Sequence, residues 1–94
     1  MIDRTTRLSL ARQVRLKLDP RSGKQMLLYP EKGLELNDTA ARVAALCRDP
    51  STVSEIIERM VAAADAATPR AQIEDEVLAF LRALEDRGLL TVHP

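Results

Sequence analysis

Residues 25–46 read QMLLYPEKGLELNDTAARVAAL, and this stretch decides the fold. Its first five residues have the apolar pattern of a strand, which Pro30 ends because proline has no backbone donor for a ladder. Residues 33–36, GLEL, alternate like a second, short strand. Asn37 then begins a helix, because its side chain accepts from amides of the first turn. We expect the short strand at a sheet edge, where another polypeptide can pair with it.

Another strand is predicted upstream of this stretch. Residues 13–18, QVRLKL, alternate between polar and apolar positions, which is the period of a half-buried strand. Residues 19–23, DPRSG, have turn chemistry, since proline presets φ and glycine tolerates positive φ. Residues 13–18 and 25–29 are therefore predicted to form an antiparallel hairpin. Residues 1–12 are polar and irregular, and we expect a flexible arm there.

Two helices follow the strands in the prediction. The first begins at Asn37 and ends at Asp49, because the residue before Pro50 avoids the helical region. Thr52 and Glu55 have the spacing of a capping box, so they open the second helix.

A third helix is predicted near the carboxyl end. Thr68 is the expected cap, with Pro69 at the first helical position. Gly88 closes the helix, and residues 89–92 follow as a tail strand or as packing against the core. Together these elements predict an α+β, winged-helix-like fold, with a three-stranded antiparallel sheet followed by three helices. Residues 13–92 are expected to be a single peptide-recognition domain.

Composition and charge narrow the classes of partner. Aromatic residues make up only 2% of the 94 residues, which argues against a surface that stacks bases or sugars. Residues 1–24 hold seven bases and two acids, a net charge of +5, while the remaining residues carry −5. Such asymmetry favours an acidic partner near the amino-terminal part.

The chain shows no pattern typical of secretion or membrane insertion. Cys47 is the single cysteine, which excludes an internal disulfide. The start lacks the apolar run of a signal peptide, and no segment approaches about 18 consecutive apolar residues. We expect a cytoplasmic location and no membrane partner.

Residues suited to catalysis are sparse. His93 is the single histidine and lies in the tail, and Cys47 shares an apolar helix face, where it is expected to act as a small hydrophobic residue. No cluster of metal ligands and no glycine-rich phosphate loop is present in the sequence. We expect no enzyme activity, no catalytic residue, no metal site and no cofactor.

The winged-helix outline makes a DNA-binding regulator an alternative. A recognition helix should carry several bases, yet residues 53–64 hold only Arg59 against two acids. Residues 70–87 hold three bases against five acids, so neither helix suits a phosphate backbone. No nucleic-acid partner is therefore expected. A structural subunit of a modifying enzyme is a second alternative.

Several segments, in this order and spacing, resemble the PqqD family of small peptide chaperones in pyrroloquinoline quinone biosynthesis. The likeness spans roughly residues 8–92. It is carried by VRL (14–16), LLYPE (27–31), LELN (34–37), TVSEI (52–56), IEDEV (73–77) and GLL (88–90).

The resemblance implies a non-enzymatic role in peptide modification. Members of the family bind the precursor peptide PqqA and present it to PqqE, a radical S-adenosylmethionine enzyme that crosslinks a glutamate and a tyrosine within it. In related recognition elements the leader peptide lies as an added strand beside the third strand and against the third helix. A monomer or a weak homodimer is expected, because an exposed strand edge can also pair with a second copy.

The predicted site has three parts. Edge backbone groups would form main-chain hydrogen bonds with the peptide, while apolar side chains of the third helix would supply most of the affinity. The edge residues are Lys32, Gly33, Leu34, Glu35 and Leu36. The helix residues are Ile73, Val77, Phe80, Leu81 and Leu84. Arg15 and Lys17 are predicted electrostatic contacts to an acidic peptide or enzyme surface.

Overall fold

The computed structural model describes residues 2–30 and 32–94. Within these ranges the chain forms three helices and two three-stranded antiparallel sheets. The elements in chain order are β1 Arg7–Leu10, β2 Arg15–Leu18, β3 Gln25–Tyr29, β4 Lys32–Glu35, α1 Asp38–Leu46, β5 Ser51–Thr52, α2 Val53–Ala63, α3 Arg70–Asp86 and β6 Leu90–His93.

The predicted three-stranded sheet is present in the order β2-β3-β4. Leu16, Leu27 and Leu34 lie opposite one another across its three strands, and Leu27 is fully buried. This row defines the inner face of the sheet, because partners across antiparallel strands point to the same side. The turn between β2 and β3 contains Gly23 at a φ of +72°, a conformation that glycine adopts without strain.

A second sheet, in the order β5-β1-β6, corrects the prediction of a flexible arm over residues 1–12. Within the described part of that segment, β1 pairs along its whole length with β6, and Leu8 is fully buried. Ile2 is only 2% exposed. The partner strand lies about eighty residues away in the chain, so local sequence pattern gave no sign of this pairing.

The first helix begins as predicted, and it ends early. The Ala40 amide donates to Asn37 Oδ1 at 2.8 Å, which confirms Asn37 as the cap. The helix stops at Leu46, before the predicted end at Asp49. The chain then turns so that β5 can pair with β1.

The capping box of α2 is confirmed. The Glu55 amide donates to Thr52 Oγ1 at 3.1 Å, and the Thr52 amide donates to Glu55 Oε1 at 2.8 Å. Hydrogen bonds from the Thr52 amide and the Thr52 side chain to the Glu55 carboxyl hold its pKa below its usual value.

Replacing Thr52 by alanine should lower the free energy of unfolding by about 1 kcal/mol, because one first-turn amide loses its acceptor. Urea denaturation would measure the change. Ser54→Ala is the matched control, since Ser54 is exposed on the same helix turn. The pKa of Glu55 is lowered in the folded state. The ionised Glu55 carboxyl therefore adds to the free energy of unfolding above its unfolded pKa, and this stabilisation is lost as pH falls through the folded pKa. Equal losses in the two variants at neutral pH would contradict the assigned cap.

The predicted cap of α3 is wrong by one residue. Pro69 occupies the cap position, without a side-chain hydrogen bond to the helix. The Thr68 amide instead donates to the carbonyl of Asp65 at 2.9 Å, so Thr68 belongs to the preceding turn. Gly88 closes the helix as predicted, at a φ of +74°, and the Leu89 amide donates to the Leu84 carbonyl.

Two apolar clusters share the helix α3. One packs α2 against β1 and the first half of α3, and its buried members include Leu8, Ile56, Ile57, Val77 and Leu81. The other packs the β2-β3-β4 sheet against α1 and the end of α3, and its buried members include Val14, Leu27, Leu36, Ala44 and Leu84. Phe80 is partly buried and packs against both clusters, so α3 connects the two sheets.

Cys47 is fully buried, and burial raises the pKa of its thiol to about 12. Thiol-labelling reagents react with the thiolate, so the native protein should resist labelling at pH 8 while the denatured chain reacts at once. Because the unfolded thiol ionises near its ordinary pKa of 9.0, the free energy of unfolding should fall as pH rises above that value. Labelling of the native protein at the rate of a small free thiol would contradict this placement.

Candidate functional site

The strand β4 lies at the edge of its sheet and, among the described residues, pairs only with β3. The Leu36 amide donates to the Gln25 carbonyl at 2.9 Å, just beyond the end of β4. Hydrogen-bonded and non-bonded pairs alternate along an antiparallel ladder. With the observed register, the backbone N–H and C=O of Leu34 therefore point toward β3, whereas those of Gly33 and Glu35 point to the open edge. The edge can offer two donors and two acceptors to a guest strand.

A surface groove follows directly after β4. Its volume is about 280 Å³, and it lies between the start of α1 and the middle of α3. Its walls are Asn37, Thr39 and Ala40 on one side and Glu76, Ala79 and Phe80 on the other. Asn37 is two residues beyond the end of β4, so the groove begins close to the end of the open edge.

The floor between the edge and the groove is apolar. Tyr29, Leu34, Ala40 and Phe80 are all partly buried against the same cluster, whose buried members include Leu84. Partly exposed apolar side chains that lie on a rigid core lose little side-chain freedom when a partner covers them. The arrangement suits an extended peptide whose backbone pairs with β4 and whose apolar side chains cover this floor.

The structure separates the predicted helix residues into two groups. Ile73 is 6% exposed, and Val77, Leu81 and Leu84 are fully buried. These four pack inside the protein and hold α3 in place, and their contact with a peptide stays a prediction. Phe80 alone of the predicted five lines the groove.

The predicted edge residues also differ in exposure. Lys32, Gly33 and Glu35 are exposed, and Leu34 is partly buried at the floor of the site. Leu36 is only 4% exposed and packs into the core below it. Contact between the peptide and the edge residues stays a prediction. The buried side chain of Leu36 supports the end of β4 from the core.

Sequence reasoning did not identify five of the groove residues. They are Asn37, which was predicted only as a helix cap, Thr39, Ala40, Glu76 and Ala79. The last two lie four and one residues before Phe80, so the helical period places all three on one face of α3. An alanine and a glutamate beside an aromatic residue were a weak signal for an exposed groove wall. The groove side of α1 had no such signal, because Thr39 and Ala40 are ordinary first-turn residues.

The other outer strands of the described sheets are β2, β5 and β6. Beside β2 lies a cavity of about 360 Å³ whose walls combine apolar residues with Arg12, Arg15 and Arg48. Leu16 of β2 and Leu90 of β6 pack against the same apolar cluster as Leu34. The β4 edge differs from these strands because the groove that contains Phe80 follows directly after it.

The described residues do not form a three-membered cluster of histidine, cysteine, aspartate or glutamate suited to a metal ion. The single histidine connects two strands. His93 Nε2 on β6 and Ser9 Oγ on β1 are hydrogen-bonded at 2.8 Å. None of the helices in the described ranges combines the length and the hydropathy that a membrane span requires.

The fold and the site together define a small α+β domain with an open strand edge that leads into a helix-lined groove. Residues 24–90 match the family model of coenzyme PQQ synthesis protein D (PqqD). This match covers more than half of the chain, so the chain belongs to the PqqD family.

Relatives in sequence agree with this family. The chain is 38% identical over 81 residues to PqqA binding protein 2 of Pseudomonas putida KT2440, covering 86% of this chain and 87% of the relative. It is 34% identical over 90 residues to PqqA binding protein of Rhodopseudomonas palustris CGA009, covering 96% of this chain and 86% of the relative.

Two solved structures share the fold. One is the PqqD part of Methylobacterium extorquens PqqCD, described as a functional and stand-alone recognition element for ribosomally synthesized and post-translationally modified peptides. It aligns with a TM-score of 0.79 and 30% identity, covering 97% of this chain and 95% of that one. The other is TbiB1 in complex with the TbiA(β) leader peptide, with a TM-score of 0.73, 20% identity and coverage of 92% and 98%. The predicted α+β, winged-helix-like fold is confirmed.

Proposed function

We propose that this chain is a peptide chaperone that binds the precursor peptide PqqA by adding it as a strand to β4. The observation that carries the proposal is the open edge of β4, which leads into the groove lined by Ala40 and Phe80. The relatives from Pseudomonas putida and Rhodopseudomonas palustris, both named for binding PqqA, support the choice of guest.

The edge and the groove have different tasks in this proposal. Hydrogen bonds from the peptide to Gly33 and Glu35 contribute only about 0.5–1.5 kcal/mol each, so they set register and direction. Burial of apolar peptide side chains on Leu34 and Phe80 contributes most of the affinity, at about 25 cal/mol per Å² before ordering costs. A disordered precursor loses conformational freedom on binding, which keeps the complex dissociable.

The proposal assigns the chemistry to a partner. The chain presents the bound peptide to the radical S-adenosylmethionine enzyme PqqE, in the cytoplasm, and carries out no reaction itself. In the free state an open edge allows weak pairing with a second copy, and the peptide would compete with that pairing. A monomer or a weak homodimer in the absence of peptide is therefore expected.

Titration of labelled precursor peptide with the purified chain tests the proposal directly. We expect saturable binding by fluorescence anisotropy, both alone and with PqqE present. Duplex DNA at physiological salt should bind weakly or not at all, and tight, sequence-dependent binding would favour the DNA-binding regulator instead. A structural subunit that only stabilises PqqE would bind the enzyme and leave the isolated peptide unbound.

A further inference from the structure

We propose that the outer face of the β2-β3-β4 sheet docks a folded protein surface with an apolar centre and an acidic rim, while the peptide occupies the β4 edge. The proposal rests on the function proposed above, because it takes the docked protein to be the enzyme that modifies the peptide. We define the outer hairpin face as the row Arg15, Leu28 and Gly33 and the row Lys17, Met26 and Glu35.

The register of the sheet fixes the direction of this face. Leu27 is fully buried on the inner side, and neighbouring residues of a strand point to opposite sides. Met26 and Leu28 therefore point outward, away from the core. Each lies opposite a base of β2 and a residue of β4 in the paired register.

The centre of the outer hairpin face is apolar and exposed. Leu28 is 36% exposed, and Leu18 at the adjoining turn is 58% exposed. A Cβ added at Gly33 would lie 3.1 Å from Met26 Cε and 3.3 Å from Leu28 Cδ2, so both side chains lie over the glycine of β4. With Leu18 they line a cavity of about 360 Å³ beside the hairpin turn. Contiguous exposed apolar residues bordered by charge are typical of a protein interface.

The rim of this face is basic. Three bases there, Arg15, Lys17 and Arg21, form no ion pair with a carboxylate of the described residues. The guanidinium of Arg15 instead donates to the backbone carbonyls of Arg12 and Val14.

Two other bases of the amino-terminal part are already neutralised. Lys24 Nζ lies 3.0 Å from Glu35 Oε1, and Arg4 lies 2.8 Å from Glu74. Three of the seven bases of residues 1–24 thus lie around the apolar centre of the outer hairpin face without a carboxylate partner among the described residues. Complementary charge at the rim steers a partner and fixes its orientation, which calls for acidic groups on the docked surface.

The composition of the outer hairpin face favours a protein partner over a nucleic acid. A nucleic acid would use the bases and leave Leu18, Met26 and Leu28 in water, whereas a protein with an apolar centre would bury them. The peptide groove lies on the opposite side, between α1 and α3. One molecule therefore has separate surfaces for the peptide and for the docked protein.

Leu28→Glu tests the proposal, with Arg21→Glu as a second variant that reverses a charge at the basic rim. Val92→Glu is the matched control, since Val92 is 55% exposed on the other sheet. Binding of each variant to purified PqqE and to labelled precursor peptide would be measured separately by calorimetry and by anisotropy. We expect both test variants to bind the enzyme at least about tenfold more weakly, and to bind the peptide within about twofold of the original chain, because surface substitutions rarely act beyond their contacts. The control should change neither affinity.

Unchanged affinity for the enzyme in both test variants would overturn the proposal, even if peptide binding is normal. The proposal would also be overturned if the test variants lose self-association, measured by sedimentation, and keep their affinity for the enzyme. The outer hairpin face would then bind a second copy of this chain. Failure of the original chain to bind the peptide, with enzyme binding intact, would instead refute the proposed function. The two ideas are therefore distinguishable in one set of measurements.

Discussion

Replacing Glu35 by proline is expected to weaken binding of the precursor peptide by about thirtyfold and to leave the fold intact. The N–H of Glu35 points to the open edge of β4, so proline removes a donor to the peptide and none from the β3–β4 ladder. Proline is tolerated on an edge strand when its nitrogen faces solvent. The loss combines about 0.5–1.5 kcal/mol for the missing hydrogen bond with a further cost for the peptide carbonyl left unpaired beside the proline ring.

Glu35→Ala is the matched control for this variant. Both substitutions remove the ion pair between Glu35 and Lys24, whose side chains are 54% and 59% exposed. Exposed pairs contribute only about 0–1 kcal/mol, so the alanine variant should bind the peptide nearly as well as the original chain. Anisotropy titrations give the affinities, and circular dichroism checks the fold. Equal affinity of the proline and alanine variants would exclude a main-chain hydrogen bond at this position.

Replacing Ala79 by glutamate should weaken peptide binding by at least about thirtyfold, because a carboxylate would have to lose its water under an apolar guest. Ala79 is exposed on α3 and lines the groove beside Phe80. It is not a core residue, so the free energy of unfolding should change by less than about 0.5 kcal/mol. This variant blocks the groove without removing the packing of Phe80 against both clusters.

Ala71→Glu adds the same charge to an exposed position near the start of α3, away from the groove, and serves as control. Peptide affinity of this variant should match that of the original chain. If Ala79→Glu binds the peptide as tightly as Ala71→Glu does, the groove is not part of the binding surface. Titrating both variants at low and at high salt separates a steric block from general charge repulsion, since only the latter is screened.

Much of the fold could be predicted because local chemistry determines it. The hairpin of β2 and β3, the cap at Asn37 and the capping box at Thr52 depend on residues only a few positions apart. The β1–β6 pairing depends on residues at opposite ends of the chain. Strand β1 reads RLSL and alternates as a strand does, but nothing local specifies its partner. The local pattern therefore predicted one sheet, and the structure has two among the described residues.

The candidate site was predictable in part for a similar reason. The edge position of β4 could be predicted because a short alternating segment lies between Pro30 and a helix cap. These features all lie within a few residues of one another. The apolar stripe of α3 could not be divided into core and groove from periodicity, because its burial depends on what packs around the helix. Val77 and Leu81 face α2, and Leu84 faces the β2-β3-β4 sheet, so Phe80 is left at the surface between them.

Amide hydrogen exchange of the chain with and without the precursor peptide tests the strand-addition mechanism most directly. Binding should slow exchange at Gly33 and Glu35, whose amides face the open edge, and should change Leu34 much less, because its amide is already paired with β3. That alternating protection along one strand is the predicted result. Protection confined to β2 or β6, or uniform protection across Gly33, Leu34 and Glu35, would contradict the addition of a guest strand at β4.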